Sequence, residues 1–550
     1  MTQWWRGGVI YQIYPRSFQD SNGDGVGDLR GILSRLEHVA SLGVDAIWLS
    51  PIFPSPMADM GYDVADYTDI DPLFGTLADF DALIEKAHEL GLKVIIDQVA
   101  SHTSDQHPWF RESKSSRTNP RADWYVWADP NDDGTPPNNW PSVFGGPAWE
   151  WNGARRQYYL HNFLIEQPDL NFHNPEVQEA ILDAMRFWLD RGVDGFRFDT
   201  VNYYFHDAEL RSNPPAPEEE ETPLEIDPYG MQYHLYSKNR PENIAFLRRV
   251  RALLDQYPGT TTVGEVGEAH RPIEIMAAYT SGDDLLHMCY SFAMLGRQFS
   301  PAHFRSRVEK FFAGAPDGWP CWSFSNHDVE RHVSRWESHA VTPQSFARLT
   351  VGLLLSLKGS VCIYQGEELG LPQAELEYEE LTDPPGIRFW PDKKGRDGSR
   401  TPMPWTGEAN GGFSEGKPWL PVKPPHLQRN VSALEGEPGS LLHYYREILA
   451  YRKANRALVD GDIDFLETGA PILAFTRKGE GRSHLCVFNL SAMPHAVALG
   501  DFPSEAGLAA VSNGAALAGG TLTLEGNGFA YIACGERSGP ASRALPVRSL

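Results

Sequence analysis

Residues 38–51, HVASLGVDAIWLSP, run from a helix-like stretch through a glycine straight into an apolar strand. The same passage recurs at 86–99 (KAHELGLKVIIDQV) and at 187–200 (FWLDRGVDGFRFDT). Ahead of the first, Leu29, Ile32, Leu33, Leu36, Val39 and Leu42 return at helical spacing, and Gly43 can take the left-handed conformation that ends a helix. The second carries Phe80, Leu83, Ile84, Ala87 and Leu90 before Gly91. The third opens at Asn174-Pro175, a capping residue followed by proline at the first helical position. It carries Val177, Ile181, Ala184, Met185 and Trp188 before Gly192. Amphipathic helices that feed strands in this way predict βαβ units and a parallel sheet.

Outward from these three units, strand-like runs follow at TTTVGEVG (260–267), LLHMCYSFAML (285–295), CWSFSNHD (321–328) and SVCIYQGEELG (360–370). With VIYQIYPRSF at 9–18 the count reaches eight. Eight parallel strands with intervening helices predict an α/β fold, a TIM (β/α)8 barrel, with its active site at the C-terminal ends of the strands. The helix-ending glycines stand at 43, 91 and 192, so the second interval is about twice the first. The excess, residues 102–172, is rich in Trp, Pro, Asn and Gly and predicts a small domain inserted after the third strand. The barrel then takes 1–101 and 173–458. From 459 the pattern alternates with period two between Gly-rich turns, which predicts a C-terminal antiparallel β domain over 459–550. Its last residues, ERSGPASRALPVRSL, read as a loosely held tail.

A chain of 550 residues is too long for one core, and 41% hydrophobic with 22% charged residues is ordinary for a globular protein. The net charge of −25 repels phosphate backbones and anionic membranes, so neither nucleic acid nor a membrane is expected as a partner. The five cysteines are scattered, odd in number and without CxxC spacing, and read as buried thiols of a reducing compartment. With no apolar leader at the N-terminus, the cytoplasm is the expected location. The acidic run PAPEEEETPLEID, 215–227, borders the pocket entrance or is a solvated loop.

Along VDGFRFDTVN (193–202), Val193, Gly195, Arg197 and Asp199 share the strand face that points into the barrel. A carboxylate beside a guanidinium has its pKa lowered, as a carboxylate nucleophile requires; a structural ion pair is the alternative. Glu265, Asp328 and Asp97 end three other strand-like runs, so four acids crowd one cleft. Like charges there let one carboxyl stay protonated while another ionises, which is the working pair of glycoside hydrolysis. The interleaved Arg197, His102 and His327 argue against a central metal.

The motifs VIYQIYPRSFQDSNGDGVGDLRGI, GYDVADY, GFRFDTVN, GEVGE, FSNHD, YQGEELG and GRDGSRTPMPW resemble, in order along the whole chain, the α-amylase superfamily. They are most similar to its α-glucosidase and oligosaccharide-hydrolase branch. The resemblance implies a retaining α-glucosidase acting on small maltose-type sugars. In it Asp199 is the nucleophile, Glu265 the general acid/base and Asp328 the transition-state stabiliser. Asp59 and Arg400 would grip the terminal sugar as a charge pair, and Tyr62 would stack on its ring. His102, Arg197 and His327 would bond its hydroxyls or the nucleophile, and Phe144 and Phe163 would wall the cleft. Thr200, beside the nucleophile, would favour α-1,4 over α-1,6 linkages. Three positions depart from the family pattern: Ser101 where Asn is usual, Pro404 where Gln is common, and Phe198 where Leu is usual. A trehalose synthase-like glucosyl transferase and a non-catalytic sugar-binding or transporter-accessory relative are the rival readings.

No cofactor is expected for catalysis. The loop DSNGDGVGD (20–28) follows the first six positions of an EF-hand but lacks its closing Glu, since Gly31 takes that place. Asp20, Asn22, Asp24, Val26 and Asp28 are the candidate ligands of a structural Ca²⁺ or Mg²⁺, with metal-free Asx turns as the alternative. Oligomeric state is not legible.

Overall fold

The computed structural model describes residues 3–217, 228–479, 482–500, 507–534 and 544–550. Eight strands form the central sheet: β1 (Val9–Ile13), β2 (Ala46–Leu49), β3 (Lys93–Gln98), β4 (Gly195–Phe198), β5 (Thr261–Val266), β6 (Met288–Ser291), β7 (Cys321–Trp322) and β8 (Ser360–Tyr364). They lie parallel in the order β7-β8-β1-β2-β3-β4-β5-β6, and a parallel bridge between Cys289 and Pro320 brings the two edges together. The barrel is therefore a TIM barrel.

The local signals that set the units act as expected. Helix α1 (Leu29–Ser41) is capped by Asp28, whose side chain accepts from the Gly31 amide, and Gly43 leaves it at φ 85°. Helix α2 (Leu77–Glu89) opens on a Thr76/Asp79 capping box, and Gly91 follows at φ 77°. Helix α3 (Pro175–Asp190) is capped by Asn174 and followed by Gly192 at φ 92°. Gly195 has a different reason to be glycine: a Cβ there would lie 2.4 Å from the Thr261 carbonyl oxygen of β5. Its absence lets β4 and β5 close up, so that Asp97, Arg197 and Val263 fall in one register across β3, β4 and β5.

Between His102 and Phe172 three short antiparallel strands, Trp127–Ala128, Gln157–Leu160 and Trp149–Asn152, form a separate sheet. A bridge from His102 to Asp169 ties this segment back to the residues just after β3, and one from Tyr125 to Leu170 lies within it. It overhangs the C-terminal face of the barrel.

The C-terminal strands form an antiparallel sheet that packs against helix α4 (Pro343–Ser356). Arg477, fully buried, donates to the carbonyls of Ser356 (2.6 Å), Leu357 (2.9 Å) and Leu458 (3.1 Å), capping the C-terminal end of α4. The expectation of a loosely held tail is corrected over the described part. Val547–Ser549 pairs with His495–Ala498, and Ala544–Leu545 with Glu467–Thr468. Backbone ladder bonds, invisible to a composition argument, hold the last residues down. Residues 218–227 of the acidic run lie outside the described residues. Among the described residues no helix is long and apolar enough to cross a membrane, and the five cysteines are buried thiols with no disulfide among them.

Candidate active site

The Arg197 guanidinium is the centre of the site. It is 1% exposed and holds three carboxylates at once: Nη1 lies 2.8 Å from Asp97 Oδ1 and 2.8 Å from Asp199 Oδ1, and Nη2 lies 2.6 Å from Glu265 Oε2. The strand register sets this up, because Asp97 and Arg197 face each other across β3 and β4. The Tyr290 hydroxyl accepts from Arg197 Nη2 (2.8 Å) and donates to Glu265 Oε1 (3.1 Å). Thr200 closes the arrangement: its amide donates to Glu265 Oε2 (3.1 Å) and its hydroxyl lies 3.2 Å from Asp199 Oδ2. It does so at φ 39°, a strained conformation for a β-branched residue.

Proton affinities separate the acids. Burial pushes Glu265 up to about 8, with Asp199 and Asp328 adding to it against Arg197 and the Thr200 amide. Burial also pushes Asp199 up to about 7, with Asp97 and Asp328 reinforcing it and Arg197 opposing. The lowered value expected for Asp199 is thus corrected, because full burial among like charges outweighs one shared guanidinium. Burial would raise Asp328 too, but the guanidiniums of Arg396, Arg400 and Arg197 hold it well below the carboxylate range, and His327 would add to them only if protonated. His327 is itself pushed far down by burial and stays neutral, so the three guanidiniums carry the positive charge. The three carboxyls thus ionise in the order Asp328, Asp199, Glu265. Glu265 can serve as the acid.

A cavity of about 220 Å³ opens onto these groups, with room for about one sugar ring. Asp199, Glu265 and Asp328 line it together with Asp59, Tyr62, His102, Phe144, Phe163 and Thr200. Phe144 and Phe163 form one wall, ring centroids 5.6 Å apart. Tyr62 lies parallel to His327 at 5.4 Å, and its hydroxyl meets His327 Nε2 (2.6 Å) and Asp97 Oδ2 (3.2 Å). Arg197 and His327 stand behind the lining as its supports.

One pairing needs correction. Asp59 Oδ1 is held by Arg396 Nη2 at 2.7 Å, not by Arg400. Arg400 is fully buried, outside the cavity lining, and donates to Asp328 Oδ1 (3.1 Å) and the His327 carbonyl (2.9 Å). Arg396 also reaches Asp383 (2.6 Å) and Asp328 (3.4 Å) and lies over the Phe144 ring at 5.0 Å. Arg396 takes the N-cap position of the short helix Asp397–Arg400 and Arg400 is its last residue, a spacing of four that puts both on one side. That spacing was visible in GRDGSRTPMPW; which of the two meets Asp59 was not. Val143, Tyr203, Gly267, Phe292 and Arg396 complete the lining; Gly267 lies in GEVGE and Arg396 in GRDGSRTPMPW, whereas Val143, Tyr203 and Phe292 lie in no motif that singles them out.

The loop 20–28 lies elsewhere and is built differently. Asp20 Oδ1 accepts from the Asn22 (2.9 Å) and Gly23 (2.8 Å) amides, and Oδ2 from the Gly25 amide (2.8 Å) and the Ser414 hydroxyl (2.6 Å). Asn22 Oδ1 accepts from the Asp24 amide (2.9 Å) and Asp24 Oδ1 from the Val26 amide (2.8 Å); Asp28 caps α1. Among the described residues no group of three or more His, Cys, Asp or Glu converges as a metal cluster. The donors are nevertheless hard oxygens: both Asp20 oxygens already accept two hydrogen bonds, but Asp24 Oδ1 and Oδ2 accept one each, from the Val26 amide and Asn22 Nδ2, and keep a second lone pair.

A protonatable acid above an ionisable carboxylate, both on one guanidinium in a sugar-sized cavity at the top of a TIM barrel, defines a glycosidase-type site. The chain belongs to the α-amylase family: residues 12–461 match its profile, "Alpha amylase, catalytic domain". It is 59% identical over 492 residues to a probable alpha-glucosidase of Rhizobium meliloti (strain 1021), covering 89% of each chain. It is 38% identical over 534 residues to an oligo-1,6-glucosidase of Heyndrickxia coagulans, covering 89% of this chain and 93% of that one. A solved alpha-glucosyl transfer enzyme superposes with a TM-score of 0.94 at 54% identity, covering 97% of this chain and all of the other.

Proposed function

We propose that this chain is a retaining α-glucosidase that releases single α-linked glucose units from the non-reducing end of small oligosaccharides. The observation that carries the reading is Arg197, shared between Asp199 and Glu265. One guanidinium touching both carboxyls suits the close pair of a retaining enzyme, about 5–5.5 Å apart, better than the wider gap that admits a water. Asp199 attacks the anomeric carbon while Glu265 gives its proton to the leaving oxygen. Glu265, now ionised, takes a proton from the water that opens the glucosyl ester. Asp328, ionised and braced by Arg396 and Arg400, faces the positive charge that develops on the ring. The Asp59–Arg396 pair grips the terminal sugar.

The preferred linkage is α-1,4. Thr200 lies at the end of β4 beside the nucleophile, where its hydroxyl can bond the leaving sugar and a valine methyl cannot. One neutral hydrogen bond is worth about 0.5–1.5 kcal/mol, or roughly twofold to tenfold in rate. A panel of maltose, isomaltose, sucrose and trehalose tests both statements: maltose is expected to be cleaved best, and Thr200→Val to narrow the maltose-to-isomaltose ratio roughly twofold to tenfold. An unchanged ratio removes Thr200 from linkage choice. Failure to release glucose from maltose removes the glucosidase reading.

Transfer to a second sugar accompanies hydrolysis. An outer cavity of about 560 Å³ shares Val143, Phe144, Asp328 and Arg396 with the inner one and offers room for an acceptor. The 54% identity to an alpha-glucosyl transfer enzyme supports this. A Ca²⁺ or Mg²⁺ ion at Asp20, Asn22, Asp24, Val26 and Asp28 would brace the loop after β1 without entering the chemistry. The alternating oxygen donors and the turn at Gly25, φ 94°, support it. The five buried thiols, with no disulfide among them, favour the cytoplasm as location.

A further inference from the structure

Ser101 lies behind the cavity, 2% exposed, between two residues that line it. Its Oγ is 2.8 Å from His102 Nδ1 and 3.1 Å from Thr200 Oγ1. His102 is neutral, pushed down to about 4 by burial. Its Nε2 faces the Tyr62 carbonyl at 3.0 Å, and a carbonyl can only accept, so Nε2 carries the ring proton. Gln167 Nε2, 3.1 Å from the same nitrogen, directs a hydrogen to Asp59 Oδ2 (3.2 Å). Nδ1 is therefore bare and takes the Ser101 proton, which leaves the Ser101 lone pairs facing Thr200.

The Thr200 hydroxyl thus has one proton and two acceptors at nearly equal range, Asp199 Oδ2 at 3.2 Å and Ser101 Oγ at 3.1 Å. Asp199 Oδ1 is engaged by Arg197, so Oδ2 is the oxygen freer to attack. A hydrogen bond on an attacking oxygen weakens as that oxygen's electron density moves into the new bond. An ionised carboxylate outcompetes a hydroxyl for a donor, whereas an ester oxygen does not.

We infer that Ser101 is a positioning residue that serves as the second acceptor for the Thr200 hydroxyl. The hydroxyl rests on Asp199 Oδ2 in the free enzyme and turns to Ser101 Oγ as Asp199 attacks. No proton changes owner in that turn. The bond from Asp199 Oδ2 to the anomeric carbon forms while the glycosidic bond breaks and the leaving oxygen takes the Glu265 proton. The inference rests on the reading of Asp199 as nucleophile.

Single-turnover glucosylation by an aryl α-glucoside, measured in Ser101→Ala, Thr200→Val and the double variant, tests it. Ser101→Ala is expected to slow glucosylation about tenfold, because the Thr200 proton then has nowhere to go but the nucleophile. Adding Thr200→Val to Ser101→Ala removes that proton and is expected to recover several-fold of the loss. A double variant no faster than Ser101→Ala overturns the inference, since a packing role gives no such reversal. Ser101→Cys, close in size and a poor acceptor, repeats the comparison if the melting curve shows that truncation unfolds the chain. Asp199→Asn is the control: retained turnover there would overturn the nucleophile reading instead.

Discussion

The loop at 20–28 and the cleft above β4 and β5 are both built on clustered carboxylates, and they end in opposite states. In the loop, burial would raise Asp20, but the Ser414 hydroxyl and the amides of Gly25, Gly23 and Asn22 outweigh it and hold its pKa down. In the cleft burial wins, and Asp199 and Glu265 rise together against a guanidinium that each must share. Several neutral dipoles aimed at one carboxylate make a fixed anion that shapes a turn. One cation divided among three buried carboxylates makes a pair poised to exchange a proton.

The comparison breaks first at Arg396. Removing it leaves Asp59 and Asp383 without the guanidinium that joins them, and an uncompensated buried charge costs about 3–5 kcal/mol. Arg396→Ala is expected to lower kcat/KM on maltose by about a hundredfold or more, chiefly through KM. A loss under fivefold would mean that the Asp59–Arg396 pair does not grip the sugar.

The pH profile sharpens it. Below about 7 Asp199 takes up a proton and loses its nucleophilic pair, and above about 8 Glu265 gives up the proton it must donate. Because the two groups are coupled, the limbs belong to the pair. The profile of kcat/KM is expected to be a narrow bell with its maximum between those limbs. A rate that stays flat up to pH 9 would contradict a protonated Glu265.

The smallest effect belongs to the loop. Exhaustive chelation is expected to lower the melting temperature by a few degrees, with Asp24→Ala doing the same, while kcat/KM at 25 °C is unchanged. An unaltered melting curve, with no metal detected in the untreated protein, would leave the loop as hydrogen-bonded turns alone.

The barrel was legible because each unit carries redundant local signals. Asn174 starts a helix, Gly43, Gly91 and Gly192 end theirs, and apolar runs follow; the caps at Asp28 and Thr76 add signals that were not read. Asp97, Asp199 and Glu265 were legible for the same reason, since each lies at a strand end where alternation fixes which way it points; Asp328 lies six residues beyond β7 and was legible through the motif FSNHD. What escaped depends on contacts between distant segments. Which of Arg396 and Arg400 meets Asp59 is decided by a separation of more than 300 residues, and the pairing of Val547–Ser549 with His495–Ala498 is equally non-local. The rise of Asp199 follows from burial, which the pairing of Arg197 and Asp199 along one strand does not reveal.

The central claim, that Asp199 and Glu265 work as nucleophile and acid of a double displacement, is tested most directly by the anomeric form of the first product. In proton NMR of maltose hydrolysis, followed before mutarotation, the glucose from the non-reducing end is expected to appear as the α-anomer, two inversions restoring the starting configuration. Release of β-glucose as the initial product would contradict the account.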